Sequence, residues 1–173
     1  NVSALQLQFG DYIQSLKKVL RESGLPPAKL ELELTESVLI DDTDRAVHIL
    51  DDIRSIGVRL ALDDFGTGYS SLSYLRRFPF DTLKIDRSFV TELLTKPDAR
   101  AIVKMISDLA KELGKRTICE GVETVEQLEL ICAAGCDEVQ GYLISAPCAL
   151  IDFPQALGPA LNPHGQGKPA DCP

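Results

Sequence analysis

Several acidic residues of this chain fall at the ends of short apolar runs. Glu33 follows Leu30 and Leu32, Asp63 and Asp64 follow the run 58–62, and Glu120 follows the run 116–119. Lys84 stands at the end of a fourth run, 82–85, and Gln140 lies in a fifth, 138–143. Carboxylates brought together from separate strands repel and raise one another's pKa values. Divalent cations remove that conflict, and hard oxygen donors suit Mg²⁺ or Mn²⁺. Two such ions clamping the attacking and leaving oxygens are a recurrent solution for phosphodiester cleavage. A lysine in that company would orient a water or hold a phosphate oxygen. Taken singly, each acid reads equally well as a helix N-cap. Polar residues near the same end of five successive runs are harder to assign to capping alone.

The elements that must hold these residues alternate. Tyr12, Ile13, Leu16, Val19 and Leu20 form a helical stripe that stops at Gly24, ahead of Pro26 and Pro27. Residues 30–35 alternate strictly, as a strand does, with Leu30, Leu32 and Leu34 on one face and Glu31 and Glu33 on the other. Residues 41–44 offer N-caps for a helix bearing Val47, Leu50, Ile53 and Ile56, closed by Gly57. After the strand at 58–62 come a short helix around Leu72 and Leu75, a strand at 82–85, and the clearest helix, 98–113. A strand at 116–119 follows. Thr124 and Gln127 then have capping-box spacing for a helix through Ala134, stopped by Gly135. The last strand expected is 138–143, and from Gly158 onward the Pro/Gly/polar composition reads as a disordered tail, 158–173.

Five strands alternating with helices over short connections imply a parallel α/β arrangement. A doubly wound sheet and a (β/α)8 barrel are both compatible with that order. A complete barrel takes at least about 200 residues, so with ordered signal ending near residue 157 a barrel here would lack roughly its first two strands. The chain has 173 residues and begins Asn1-Val2-Ser3 without an initiator Met, which reads as an excised fragment.

Composition narrows the function class. With 45% hydrophobic and 25% charged residues the chain is an ordinary globular sequence. No apolar run is long enough to span a membrane. A net charge of −8 argues against a DNA-binding surface, which has to displace counterions, but a carboxylate pocket holding metal ions can still take an anion. The five cysteines (119, 132, 136, 148 and 172) form no CxxC pair and have no histidine nearby, so a reducing cytoplasm is the simple reading. His48 on a polar helix side and His164 in the tail are poorly placed as general bases. Glu31 sits deeper in its strand than Glu33 and reads as structural, and Asp86 reads as the cap of a following turn.

The motifs carry a more specific resemblance. Glu31-Leu32-Glu33-Leu34-Thr35-Glu36-Ser37, Asp63-Asp64-Phe65-Gly66-Thr67-Gly68-Tyr69-Ser70-Ser71-Leu72, Leu83-Lys84-Ile85-Asp86, Glu120-Gly121-Val122-Glu123-Thr124 and Gln140-Gly141-Tyr142 occur in that order. Together they resemble the successive motifs of the EAL phosphodiesterase family, and Asn1-Val2-Ser3 resembles its Asn-x-Ser motif, so the likeness runs from residue 1 to about 147. The resemblance implies a modified TIM (β/α)8 barrel with its N-terminal strands missing, forming a domain over 1–157. It further implies hydrolysis of cyclic di-GMP to linear pGpG with two divalent cations. Carried over, Asn1, Glu33, Asp63, Asp64 and Glu120 are metal ligands, and Lys84 and Gln140 place the catalytic water and its surroundings. Glu123 is an accessory acid, and Glu36 anchors the loop after the double aspartate. That loop implies a homodimer, and the family implies upstream GGDEF or sensory domains.

The family's Glu-Ala-Leu motif, with a metal-binding glutamate and a nearby phosphate-binding arginine, does not occur in these residues. The expectation is an active parent protein, with this polypeptide alone weakly active or inactive. The alternative from another class is a non-hydrolytic cyclic di-GMP receptor or interaction module on the same fold. An unrelated metal-dependent barrel lyase is the weaker third reading.

Overall fold

Strict alternation of leucine and glutamate produces the first strand, β1 (Glu31–Thr35), which buries Leu32 and Leu34 and leaves Glu31 and Glu33 partly open. The computed structural model describes residues 1–3, 6–7, 11–35, 43–67 and 72–149. Before β1 come helix α1 (Tyr12–Ser23) and a 3-10 turn at Pro27–Lys29. Helix α2 (Thr43–Ser55) leads to β2 (Arg59–Phe65), and α3 (Leu72–Arg77) leads to β3 (Thr82–Ile85). Two helices, α4 (Arg87–Glu92) and α5 (Pro97–Glu112), separate β3 from β4 (Arg116–Glu120). Helix α6 (Val125–Ala134) connects to β5 (Glu138–Gln140). Residues 41 and 42, expected to cap α2, and the expected tail lie outside the described residues.

All neighbouring strands pair in parallel, and their order is β1-β2-β3-β4-β5. A doubly wound sheet reverses its strand order at a switch point. Here every connection advances one strand in the same direction, as in a barrel. The arc extends one position further at its first edge, where the Val2 N–H donates to the Glu33 carbonyl at 2.8 Å. Leu60, Leu62, Leu83, Ile85 and Cys119 join helix residues such as Leu50, Ile53, Val103, Ile106 and Ile131 in one hydrophobic core.

The register sets the other sheet face in layers. Glu31 pairs with Arg59, Thr82 with Arg116, and Ile118 with Glu138. The side chains of Glu31, Arg59, Thr82, Arg116 and Glu138 make a polar layer at the amino-terminal end of the strands. Arg116 reaches Glu138 at 2.7 Å, Thr82 at 3.0 Å and Glu31 at 3.2 Å, while Arg59 lies 3.4 Å from Glu31. The structural role expected of Glu31 is therefore met.

Three expectations are corrected. β2 runs past 62 to Phe65, because its register to β3 shifts between Leu62 and Phe65. The strand expected at 138–143 ends at Gln140, where the chain turns and Ile144 N–H donates to the Gly141 carbonyl at 3.0 Å. The turn after Asp86 is a full helix, α4, too short for apolar periodicity to reveal. Asp86 does cap it, accepting from the Ser88 N–H at 2.9 Å. Among the described residues, no helix is long and apolar enough to cross a membrane.

Candidate active site

The carboxyl ends of β1, β2, β3 and β4 bring Glu33, Asp63, Lys84 and Glu120 together. Lys84 sits at the centre, its side chain only 4% exposed. Its Nζ lies 2.6 Å from Glu120, 2.8 Å from Glu33 and 3.2 Å from Asp63. Burial alone would lower the ammonium pKa. Hydrogen bonds to Glu120 and Glu33, and the charges of Glu120 and Asp63, outweigh it and push the pKa up. At Glu120 the balance falls the other way, since burial raises the carboxyl pKa more than Lys84 lowers it, and Asp63 and Glu33 add to the rise. The lysine is engaged by three carboxylates. It supplies part of the compensation that the acids require.

Period-two alternation would send Asp63 and Asp64 to opposite faces of β2. The register shift changes that, as an irregularity of this kind re-aims a side chain. Asp64 adopts φ 55°, a left-handed conformation that aspartate tolerates better than most residues. Asp63 Oδ1 accepts from the Asp64 N–H at 3.1 Å, and Thr67 Oγ1 donates to the Asp64 carbonyl at 2.9 Å. One carboxylate oxygen from each of Asp63, Asp64 and Glu120 lies within 4.8 Å of the others. The Asp64 carboxyl pKa is raised, first by desolvation and then by the charges of Asp63 and Asp86.

This donor set fits hard divalent cations. It consists of oxygen ligands, it is open to solvent at Asp64, and four carboxylates against one ammonium leave it net negative. Asn1 is exposed, next to Val2, whose N–H donates to the Glu33 carbonyl of β1. Glu36 lies outside the described residues.

Glu123 and Gln140 are exposed and stand apart from the lysine cluster. They line an open cavity of about 330 Å³ together with Glu120, Arg87, Thr91 and Tyr142. Register aligns Gln140 with Glu120, and Val122 N–H donates to the Gln140 carbonyl at 3.1 Å. The chain turns here only because residue 141 is glycine: a Cβ would fall 2.2 Å from the Val122 carbonyl oxygen and 2.3 Å from its nitrogen. Arg87 was not singled out from the sequence. Its one signal is position, as the first residue of a helix at the carboxyl end of β3. Tyr142, 68% exposed, was quoted only as part of a motif.

An open arc of sequentially ordered parallel strands, with acids gathered at their carboxyl ends, defines part of a barrel enzyme fold. The EAL domain family model matches residues 1–147, and the chain belongs to that family. Its fold is that of a TIM-barrel-like EAL domain, of which five strands are described here. Among its relatives, the bifunctional diguanylate cyclase/cyclic di-GMP phosphodiesterase MucR of Pseudomonas aeruginosa is 43% identical over 147 residues. That match covers 85% of this chain and 22% of the relative. A solved PaMucR phosphodiesterase in complex with c-di-GMP superposes with a TM-score of 0.85 at 41% identity, covering 88% of this chain and 62% of that one. A manganese/cy-diGMP complex of Klebsiella pneumoniae BlrP1 superposes with a TM-score of 0.79 at 35% identity, covering 85% and 38%. The chain spans about a fifth of the length of curated relatives that it matches, from 18% to 25%.

Proposed function

We propose that the protein carrying this domain hydrolyses cyclic di-GMP to linear pGpG with two divalent cations, Mg²⁺ or Mn²⁺. The observation that carries this reading is the convergence of Asp63, Asp64 and Glu120 within 4.8 Å beside Lys84. Asn1, Glu33, Asp63, Asp64 and Glu120 are the proposed metal ligands. The ions would lower the pKa of a bound water and neutralise phosphate charge. Lys84 holds Glu33, Asp63 and Glu120 at fixed spacing and limits their mutual repulsion. Lys84 and Gln140 place the catalytic water and its surroundings, and Glu123, on the wall of the adjoining cavity, is an accessory acid beside the metals. Glu36 is proposed to anchor the loop that starts at Asp64, and that loop to support a homodimer.

The domain is assigned to residues 1–157 of a cytoplasmic enzyme with GGDEF or sensory domains upstream. The 173-residue polypeptide alone is expected to be weakly active or inactive, because the Glu-Ala-Leu motif is not among its residues. The test is incubation of the parent protein with cyclic di-GMP and Mg²⁺ or Mn²⁺, with pGpG as the product measured. Asp63→Ala and Glu33→Ala should each abolish turnover, and near-normal rates in either would show the cluster to be misassigned. A second reading, a non-hydrolytic cyclic di-GMP receptor, is favoured by Lys84, which neutralises part of the acid cluster without any metal. Tight dinucleotide binding by the parent with no pGpG formed would establish that reading instead.

A further inference from the structure

The two chain reversals that carry the acids meet one short helix, α4. The first, 64–67, is closed by the Thr67 N–H, which donates to the Asp64 carbonyl at 3.3 Å. The space behind its third residue, Gly66, is taken by Phe89 of α4. A Cβ on Gly66 would fall 2.9 Å from Phe89 Cε2, 3.2 Å from Phe89 Cζ and 3.5 Å from Ile106 Cδ1 on α5. The second reversal begins at Gly121, directly after Glu120. There a Cβ would fall 2.6 Å from the Arg87 Cβ and 3.5 Å from the Arg87 Cα. Helix α4 therefore rests its first residue on the turn after Glu120 and its Phe89 ring on the turn after Asp64.

The helix has its own anchors. Val90 is fully buried in the core, and the buried Gln127 side chain of α6 donates from Nε2 to the Val90 carbonyl at 3.2 Å. Phe89, partly buried against the same core, is the side chain through which this anchored helix reaches Gly66. The sheet alone does not set the spacing of the acids. β2 and β4 are separated by β3, so the ladder relates Asp64 to Glu120 only indirectly. The β2–β3 pairing is also irregular between Leu62 and Phe65, where both aspartates lie.

We propose that Phe89 is a positioning residue of the acid cluster. Its ring holds the turn 64–67, and through it the carboxylates of Asp63 and Asp64, at a fixed distance from Glu120. The inference rests on the two-cation reading above. Phe89 touches neither cation nor substrate in this role; it supports the residues that do. Without the ring, a void opens behind Gly66, and the oxygen spacing that a cation needs is no longer enforced by packing.

The test is Mn²⁺ binding to the parent protein, measured by titration calorimetry without substrate. Phe89→Ala should weaken the dissociation constant by about tenfold, the usual effect of removing a residue that supports metal ligands. Phe89→Leu, which keeps apolar bulk but lacks the ring edge, should weaken it less, and it decides the matter if Phe89→Ala does not fold. Val90→Ala is the control for a merely structural role: it should lower the melting temperature and leave the Mn²⁺ constant unchanged. A native constant in Phe89→Ala, or in Phe89→Leu where that variant decides, would overturn the proposal. So would an equal loss of affinity in Val90→Ala. If the native parent binds no Mn²⁺, or binds it as well with Asp63→Asn, the cation reading itself fails and this inference fails with it.

Discussion

Lys84 is the residue on which the acid cluster depends. Removing one member of a buried ionic group and leaving its partners costs about 3–5 kcal/mol. The three carboxylates keep between 14% and 30% of their side-chain surface, so we expect Lys84→Met to lose about 2–3 kcal/mol in the presence of a chelator. Manganese should return part of that loss, because a cation among the same oxygens replaces the missing ammonium. Urea denaturation with and without Mn²⁺ measures both quantities, and equal losses in the two conditions would separate Lys84 from the metal site. A second residue prediction concerns Asp86. Burial opposes ionisation of its carboxyl, but hydrogen bonds from Ser88, the Arg87 backbone N–H and the Arg87 charge together hold its pKa below the usual carboxylate range. A depressed folded-state pKa stabilises the protein above the unfolded value, near 4, and that contribution fades as pH falls through the folded value. Asp86→Ala should therefore cost about 1 kcal/mol at pH 7 and progressively less in acid. An undiminished cost near pH 2 would assign the effect to packing and not to charge.

At the scale of elements, the turn after β5 is the tightest constraint. Gly141→Ala places a methyl group inside van der Waals contact with the Val122 backbone, which cannot rotate away as a side chain would. A cost of about 3 kcal/mol or more is expected. Gly135→Ala is the control: φ is 80° but nothing lies within 4 Å of a Cβ, so only the left-handed backbone cost of about 1–2 kcal/mol applies. Thermal or urea melts of the two variants should rank in that order, and the reverse ranking would show that the β5 turn relaxes freely. The elements also show which features the sequence made readable. The capping box was legible because its two residues are local, and both bonds form: Gln127 N–H to Thr124 Oγ1 at 3.3 Å and Thr124 N–H to Gln127 Oε1 at 3.1 Å. β1 was legible because one of its faces is buried. The shared direction of Asp63 and Asp64 was not, since it arises from an irregularity in β2 pairing with a strand about twenty residues later. The central placement of Lys84 was equally hidden, because Glu33, Asp63 and Glu120 meet it only once four strands are in register.

For the whole molecule, the distribution of the proposed ligand residues matters more than the net charge of −8. Glu33 and Asp63 stand on neighbouring strands, and Glu120 lies two strands further on, so a cation held by all three ties together elements that otherwise communicate through the core. Such a cation binds the folded chain and has no assembled site in the unfolded one. At a free concentration one hundred times its dissociation constant it adds about 2.7 kcal/mol. For a domain of this size each kcal/mol raises Tm by about 2–4 °C, so saturating Mn²⁺ or Mg²⁺ should raise Tm by about 5–10 °C. General screening of a strongly acidic chain would also stabilise it, but NaCl at matched ionic strength would do so equally. The comparison that decides is therefore divalent against monovalent salt, repeated with Asp63→Asn. Specific binding predicts a shift in the native sequence that NaCl does not reproduce and that Asp63→Asn largely removes. A shift matched by NaCl, or unchanged in Asp63→Asn, would mean that the acids at the strand ends are kept in place by Lys84 alone.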